Sequence, residues 1–256
     1  MPIPLFHRSL GQPGNPVLII LHGLLGSSDN WQTLGKRYAE THDVRLLDAR
    51  NHGRSPHDPV HSYPAMVEDV IAFMDEQGIE RASILGHSMG GKTALLLGLN
   101  HPDRVERLVI ADMAARAYAV HHQPIFDALQ AVDLAQVADR AEVEATLSAR
   151  LNDPAVVGFL MKGLRRLKAG GYAWRANLPV LESALGEVVG PIELRVNTLP
   201  MLAVYGTQSH YVGEADLADF DAAFLQFESH AIEGAGHWLH AEQPEEFFEV
   251  TSQFLN

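Results

Sequence analysis

Short apolar runs, rich in leucine and β-branched residues, alternate along the chain with longer segments of helical periodicity. This alternation predicts a mostly parallel β-sheet whose strands are connected by helices. The runs that predict its strands are residues 17–21, 44–47, 82–85, 108–111, 201–205 and 225–232. Residues 5–9 predict one further strand, antiparallel and at the sheet edge.

Helical periodicity predicts helices over residues 31–41, 63–77, 88–100, 214–223 and 244–254. Two of these helices have clear end signals. Gly78 is expected to cap the C-terminus of the second helix, because glycine readily takes the left-handed conformation found there. Pro102 is expected to end the helix that starts at residue 88, because proline disfavours helical geometry in the residue before it.

The alternation stops between about Met113 and Asn197, where the sequence contains helical patterns and no convincing strand. Residues 132–151 and 156–168 are the most regular of these patterns. An all-helical insertion between two strands is expected to form a cap over the C-terminal edge of the sheet, where open α/β folds bind ligands. The alternative is that these helices only cover a sheet face. The prediction is therefore a core of residues 1–112 and 198–256, with a cap of residues 113–197.

The chain has 256 residues, a formal net charge of −13 and no cysteine. Its length suits one α/β domain with an insertion, and the lack of cysteine excludes disulfides and a thiol nucleophile. The negative charge argues against nucleic acid or an anionic membrane as a partner, because either would need a basic face. No signal-peptide pattern or apolar stretch of bilayer length is present, which leads us to expect a soluble cytoplasmic protein.

The run Gly86-His87-Ser88-Met89-Gly90 lies between a predicted strand and a predicted helix. A Gly-x-Ser-x-Gly run can occur by accident, but this context is typical of a serine nucleophile on a sharp strand-to-helix turn. The flanking glycines remove side chains that would clash in such a turn. Ser88 is therefore the predicted nucleophile.

A serine hydroxyl is a weak nucleophile and needs a base within hydrogen-bond reach. His237 follows the last predicted strand in the run Gly234-Ala235-Gly236-His237-Trp238, which places it at the same sheet edge as Ser88. Most loop histidines are only surface residues. The order of serine first and histidine last nevertheless favours His237 as the general base.

Two backbone amides are candidates for an oxyanion hole. Met89 follows the nucleophile at a helix N-terminus, where its N–H has no helical acceptor and is aligned with the helix dipole. The loop after the strand at residues 17–21 begins His22-Gly23-Leu24, and Leu24 is the expected second donor.

The acid of the triad is the least certain member from sequence. The loop after the strand at 201–205 has no carboxylate at the expected place, where Ser209 stands instead, while Glu214 and Asp216 follow inside the next predicted helix. Asp112 directly follows the strand at 108–111, at the correct sheet edge. Asp112 is therefore the predicted acid, with Ser209 as an additional hydrogen-bond partner of the imidazole or the carboxylate. The alternative role for Asp112 is to cap the first helix of the insertion.

Other residues suggest no cofactor. His57 and His61, with His52 nearby, are separated by Pro59, so a solvated loop rather than a metal site is predicted. Neither a P-loop nor a Gly-x-Gly-x-x-Gly fingerprint is present, and no nucleotide cofactor is predicted. The large side chains of the insertion are expected to be mostly core, with one or two in an acyl pocket. They are Tyr118, Phe126, Phe159, Met161, Tyr172 and Trp174.

The chain resembles the α/β-hydrolase superfamily over nearly its whole length. The motifs that carry this resemblance are Leu21-His22-Gly23-Leu24-Leu25-Gly26, Asp48-Ala49-Arg50-Asn51-His52-Gly53-Arg54-Ser55, Gly86-His87-Ser88-Met89-Gly90-Gly91 and Gly236-His237-Trp238. Together with Asp112 and Lys92, they are similar to motifs of small bacterial esterases of the YbfF type. That resemblance implies Ser88, Asp112 and His237 as catalytic residues, and Ser209 as the extra serine of a tetrad.

These patterns favour a serine carboxylic-ester hydrolase that acts by acyl transfer on a small-molecule ester, without metal or cofactor. A thioesterase of the acyl-CoA type or a carbon–carbon bond hydrolase would use the same residues. A ligand receptor without catalytic activity is an alternative of another class, although such a receptor has no need for both the serine and the base. Neither the acyl length nor the oligomeric state follows from the sequence.

Overall fold

The computed structural model describes residues 1–256 and contains one central seven-stranded sheet. The strands of this sheet are β1 (His7–Leu10), β2 (Val17–Leu21), β3 (Asp43–Leu47), β4 (Ala82–His87), β5 (Val105–Ala111), β8 (Asn197–Gly206) and β9 (Phe224–Ile232). Their order is β1-β3-β2-β4-β5-β8-β9, with β1 antiparallel to β3 and all other pairs parallel. The predicted α/β class and the antiparallel edge strand are confirmed.

Alternation of side chains along the strands builds two apolar layers, one on each face of the sheet. Ile19 and Leu21 belong to the larger cluster, whereas Leu18 and Ile20 belong to the smaller one. This division follows from the period of two along a strand. A sheet covered on both faces explains why the central strands are continuous apolar runs rather than alternating ones.

Helices cover both faces of the sheet and connect its strands. They are α1 (Gln32–Tyr38), α2 (Tyr63–Glu76), α3 (Met89–Asn100), α9 (Glu214–Ala223), α10 (Leu239–Glu242) and α11 (Pro244–Leu255). Gly78 has φ of 66°, as expected for the residue after a helix C-terminus. None of the helices is both long and apolar enough to cross a lipid bilayer.

Residues 113–196 lie between β5 and β8 and contribute most of a third apolar cluster, to which Leu25 also belongs. The segment contains α4 (Gln123–Gln130), α5 (Arg140–Ser148), α6 (Pro154–Met161), α7 (Leu178–Ser183) and α8 (Leu185–Val188). It also contains a two-stranded antiparallel hairpin, β6 (Leu164–Arg166) and β7 (Tyr172–Trp174). We call this segment the insertion.

The expectation of an all-helical insertion is therefore wrong, and both predicted long helices are shorter. Asp139 and Asp153 accept hydrogen bonds from the first amides of α5 and α6, so each aspartate starts a new helix. Gly170 and Gly171 have φ of 92° and 78° and close the hairpin in a left-handed turn. These residues interrupt a pattern that otherwise has helical periodicity.

The register of the parallel strands places the chemistry at one edge of the sheet. Leu21 is paired with Gly86, His87 with Ala111, and Ala111 with Val204. The loops after these strands consequently begin side by side at the carboxyl end of the sheet. Ligands bind at this end of open α/β sheets.

Candidate active site

Ser88 lies on the sharp turn between β4 and α3, as predicted. Its backbone has φ of 54° and ψ of −119°, a conformation that is strained for a residue with a side chain. The Ser88 amide donates to the carbonyl of Ala111 at 3.1 Å, which ties the turn to the end of β5. Such strain is retained where the surrounding structure enforces it, and it is frequent at functional sites.

Two glycines allow this turn, because the backbone passes too close for any side chain. A Cβ at Gly86 would lie 2.2 Å from the carbonyl oxygen of Gly90. A Cβ at Gly90 would lie 2.3 Å from the carbonyl oxygen of Leu21. The N-terminus of α3 therefore packs directly against the end of β2, beside the loop that contains Leu24.

The structure brings Ser88, His237 and Asp112 into one hydrogen-bonded line. His237 Nε2 lies 3.1 Å from Ser88 Oγ, and His237 Nδ1 lies 2.6 Å from Asp112 Oδ2. Asp112 is completely buried, whereas the His237 side chain is 22% exposed. This is the arrangement in which an imidazole can remove a serine proton while a carboxylate orients the ring.

The buried carboxylate of Asp112 has hydrogen bonds on both oxygens. Oδ1 accepts from the amide of Gly206 at 3.2 Å, and Oδ2 accepts from Ser209 Oγ at 2.5 Å in addition to His237. Asp112 does not cap a helix, because the first helix of the insertion begins only at Gln123. The capping alternative is therefore wrong.

Ser209 bonds the carboxylate rather than the imidazole, which decides between the two predicted partners. The other acidic residues near this loop have different positions and contacts. Glu214 starts α9, and Asp216 accepts from the amide of Gly213 and pairs with Arg116 at 3.0 Å. Neither residue has a hydrogen bond to His237.

The two predicted oxyanion donors are free of protein acceptors. Met89 is the first residue of α3, so its amide has no preceding helical carbonyl, and the Leu24 amide has no hydrogen-bond acceptor. The neighbouring amide of Leu25 is different, because it donates to His52 Nε2 at 3.0 Å. His52 thus fixes the loop after β2. His22, at the start of this loop, accepts from the amide of Ala49 through Nε2 at 3.0 Å. Free, oriented amides are the groups that stabilise an oxyanion.

A cavity of about 260 Å³ opens above Ser88, between the sheet edge and the insertion. Ser88, His237 and Leu24 contribute to its floor. Apolar side chains of the insertion and of the loop after β9 line much of the rest, namely Ile125, Val156, Phe159, Leu160 and Trp238, and the polar side chains of His121, His122 and Asp153 line it as well. Phe159 is thus the one residue of the predicted large set that reaches this cavity, whereas Phe126 and Met161 are core.

Comparison with known families agrees with this geometry. A family model described as the alpha/beta hydrolase fold matches residues 16–244. The chain belongs to the α/β-hydrolase fold family. The predicted resemblance is confirmed.

Relatives of this α/β hydrolase include named esterases and lipases. Esterase YbfF of Escherichia coli is 38% identical over 246 residues, which cover 96% of this chain and 95% of the relative. The sn-1-specific diacylglycerol lipase ABHD11 of Mus musculus is 33% identical, with coverage of 99% and 86%. The solved structure of a marine microorganism esterase matches with a TM-score of 0.95 and 37% identity, covering 99% of this chain and 100% of that one. These named relatives confirm the prediction of an enzyme of the esterase type.

The α/β hydrolase also contains a site residue that sequence reasoning missed. The ring of Tyr211 stacks on the imidazole of His237, with 4.0 Å between centroids and 18° between planes. Its amide donates to Ser209 Oγ at 3.3 Å, and its hydroxyl lies 2.6 Å from His121 Nε2. The only sequence signal was an aromatic residue two positions after Ser209.

Several histidines around the site are buried and neutral at neutral pH. Burial holds the pKa of His87 well below its ordinary value, and burial lowers the pKa of His240 to about 3. Burial also lowers the pKa of His52, whose two nitrogens bond Leu25 N and Arg50 O. His52 thus supports the loop after β2.

We predict that Gly86→Ala disrupts the turn, because the added methyl group has only backbone to displace. Overpacking of this kind costs about 1–3 kcal/mol, and the free energy of unfolding measured in urea is expected to fall by at least that amount. Gly158→Ala is the control, since a methyl group added there meets no atom within 4 Å and alanine favours a helix. Equal stability of the two variants would contradict the close packing at Gly86.

Proposed function

We propose that this chain is a serine carboxylic-ester hydrolase that forms an acyl-enzyme on Ser88. The observation that carries the proposal is the unbroken line of hydrogen bonds from Ser88 Oγ through His237 to Asp112 at the base of an apolar-lined cavity. The names of the esterase and lipase relatives support the ester as the bond that is cleaved.

Acylation begins when Ser88 Oγ attacks the carbonyl carbon of the ester and its proton passes to His237 Nε2. The carboxylate of Asp112 keeps Nδ1 protonated and stabilises the imidazolium that forms. The amides of Leu24 and Met89 donate to the oxygen on which negative charge develops. The tetrahedral intermediate then collapses, the carbon–oxygen bond of the ester breaks, and the alcohol leaves with the proton held by His237.

Deacylation repeats these steps with water in place of the serine. His237 removes a proton from water, the resulting hydroxide adds to the acyl carbon, and the same two amides hold the oxyanion. Collapse returns the proton to Ser88 Oγ and releases a carboxylic acid. No metal or cofactor takes part in this sequence.

We assign the insertion as the cap that selects the substrate. Its apolar side chains form most of the cavity roof, and the ring of Phe159 lies 5.6 Å from the ring of Trp238 across the opening. Walls of this kind suit an ester whose acyl or alcohol part is apolar. The core of residues 1–112 and 198–256 supplies every proposed catalytic group.

A fluorophosphonate probe tests the nucleophile. We predict one covalent adduct on the wild-type chain, located at Ser88 by peptide mass spectrometry, because such probes react with activated serines. Ser88→Ala should give no adduct, and Ser83→Ala, which replaces a buried serine earlier on β4, is the control. An equal adduct on Ser88→Ala would exclude Ser88 as the nucleophile.

Replacement of a carboxylate by an amide tests which residue is the acid of the triad. Asp112→Asn should lower kcat by up to about 10⁴-fold, the loss seen when a triad aspartate is replaced in serine proteases. Ser209→Ala removes one hydrogen bond to a charged group, which corresponds to a loss of about 10-fold. Glu214→Gln is the control and should leave kcat within about twofold. A large loss of kcat in Glu214→Gln, with normal kcat in Asp112→Asn, would show that Glu214 and not Asp112 is the acid.

A substrate panel tests the bond that is cleaved. We predict that kcat/KM for p-nitrophenyl esters exceeds that for acyl-CoA thioesters of the same acyl chain, because the cavity lining is largely apolar. Ser88→Ala provides the background rate for both series. A clear preference for thioesters would replace esterase by thioesterase, and turnover of neither series would favour a receptor.

A further inference from the structure

Lys92 is a fully buried cation that the proposed reaction does not use. It lies on α3, one turn after the nucleophile, and its side chain is inaccessible to solvent. Its ammonium pairs with no carboxylate. An isolated buried charge is costly, so compensating interactions are expected around it.

Backbone carbonyls supply that compensation. Lys92 Nζ donates to the carbonyl of Arg116 at 2.8 Å and to the carbonyl of Gly190, and the carbonyl of Val189 lies at 3.5 Å. The ammonium also lies 4.8 Å from the centre of the Tyr118 ring, which is within cation–π range. Carbonyl dipoles and an aromatic face thus replace a counter-ion.

These carbonyls belong to the two ends of the insertion, which we call the first stem (residues 113–118) and the second stem (residues 188–192). The stems lie side by side, because the Tyr118 amide donates to Val189 at 2.9 Å and the Ile192 amide donates to Ala115 at 2.7 Å. Lys92 therefore joins both stems to the helix that begins at the nucleophile.

The first stem continues to the catalytic base. The Tyr118 hydroxyl accepts from the amide of Ala114 at 2.8 Å and donates to the carbonyl of Tyr211 at 2.8 Å. Tyr211 in turn stacks on His237 at 4.0 Å. Arg116 holds the same loop by donating to the carbonyl of His210 at 3.1 Å. A displacement of the first stem would therefore move the ring that supports the imidazole.

We propose that Lys92 is a positioning residue: its ammonium fixes both stems to the nucleophile helix and, through Tyr118 and Tyr211, holds the His237 imidazole in line with Ser88. This inference rests on the proposed function of the site. It assigns a role in the reaction to a residue whose ammonium has no hydrogen bond to a triad side chain.

The proposed role of Lys92 makes the activity depend on pH. Burial and the positive charge of Arg116 lower the pKa of Lys92 to about 8, so the cation is present below that pH and lost above it. The phenol of Tyr118 faces it as well, and the phenol of Tyr63 donates to the carbonyl of Val188 in the second stem. Burial raises the pKa of both phenols, and they stay neutral in this range. Activity should therefore decline as the pH rises through about 8.

Steady-state kinetics of Lys92→Met between about pH 6 and 9.5 test the inference. Methionine is unbranched and only one heavy atom shorter than lysine, and it carries no charge. We expect kcat to fall at least about 10-fold with a smaller change in KM, and the decline near pH 8 to disappear. Tyr38→Phe is the control, because it removes an equally buried hydrogen bond, to Thr251 at 2.5 Å, on the other face of the sheet. Unchanged kcat and an unchanged pH profile in Lys92→Met would overturn the inference.

Tyr118→Phe is the second variant, since it removes one hydroxyl and retains the aromatic face. It should lower kcat while keeping the decline near pH 8, because Lys92 is still present. Should Lys92→Met fail to fold, the inference is overturned if the wild type shows no decline near that pH and Tyr118→Phe retains full kcat.

Hydrogen exchange measured by mass spectrometry gives a readout that does not need activity. At about pH 7, Lys92→Met should exchange faster than wild type in both stems and in residues 207–213, and Tyr38→Phe should not. A wild type without esterase activity would refute the proposed function, whereas unchanged exchange in Lys92→Met would refute the role of Lys92. The two failures are thus distinguishable.

Discussion

The close backbone contact beneath Ser88 is the constraint on which the site depends. Gly86 and Gly90 let α3 start against the end of β2, and the chain can turn there only with Ser88 at positive φ. That turn raises the hydroxyl above the sheet edge and leaves the Met89 amide unpaired beside the Leu24 loop. The positions of the proposed nucleophile and of the proposed oxyanion donors are consequently set by one packing contact.

Parallel strands then supply the remaining groups at the same edge. Asp112 follows β5, Ser209 follows β8 and His237 follows β9. Because these strands end side by side, the three residues are in hydrogen-bond contact although they are far apart in sequence. The proposed acid follows β5, and a serine after β8 donates a hydrogen bond to it. Asp112 itself has φ of 48°, a second strained residue next to the elbow.

Much of the fold was predictable because its signals are local. Apolar runs of strand length, helix caps such as Gly78 and the glycine pattern around Ser88 depend on neighbouring residues only. The insertion was less predictable, since β6 lies within residues 156–168, which have helical periodicity, and β7 is only three residues long. The sequence signal for the hairpin is the pair Gly170-Gly171, and both glycines have positive φ.

By itself, the sequence determined the α/β class, the elbow at Ser88, and His237 and Asp112 as candidates at one sheet edge, because the positions of strands and loops along the chain follow from local patterns. Tertiary structure alone decided that Ser209 bonds the carboxylate, that Tyr211 stacks on His237, and that Lys92 is held by carbonyls of both stems. Those contacts join segments that are distant along the chain. Their geometry is set by how loops and helices pack, which no local pattern records.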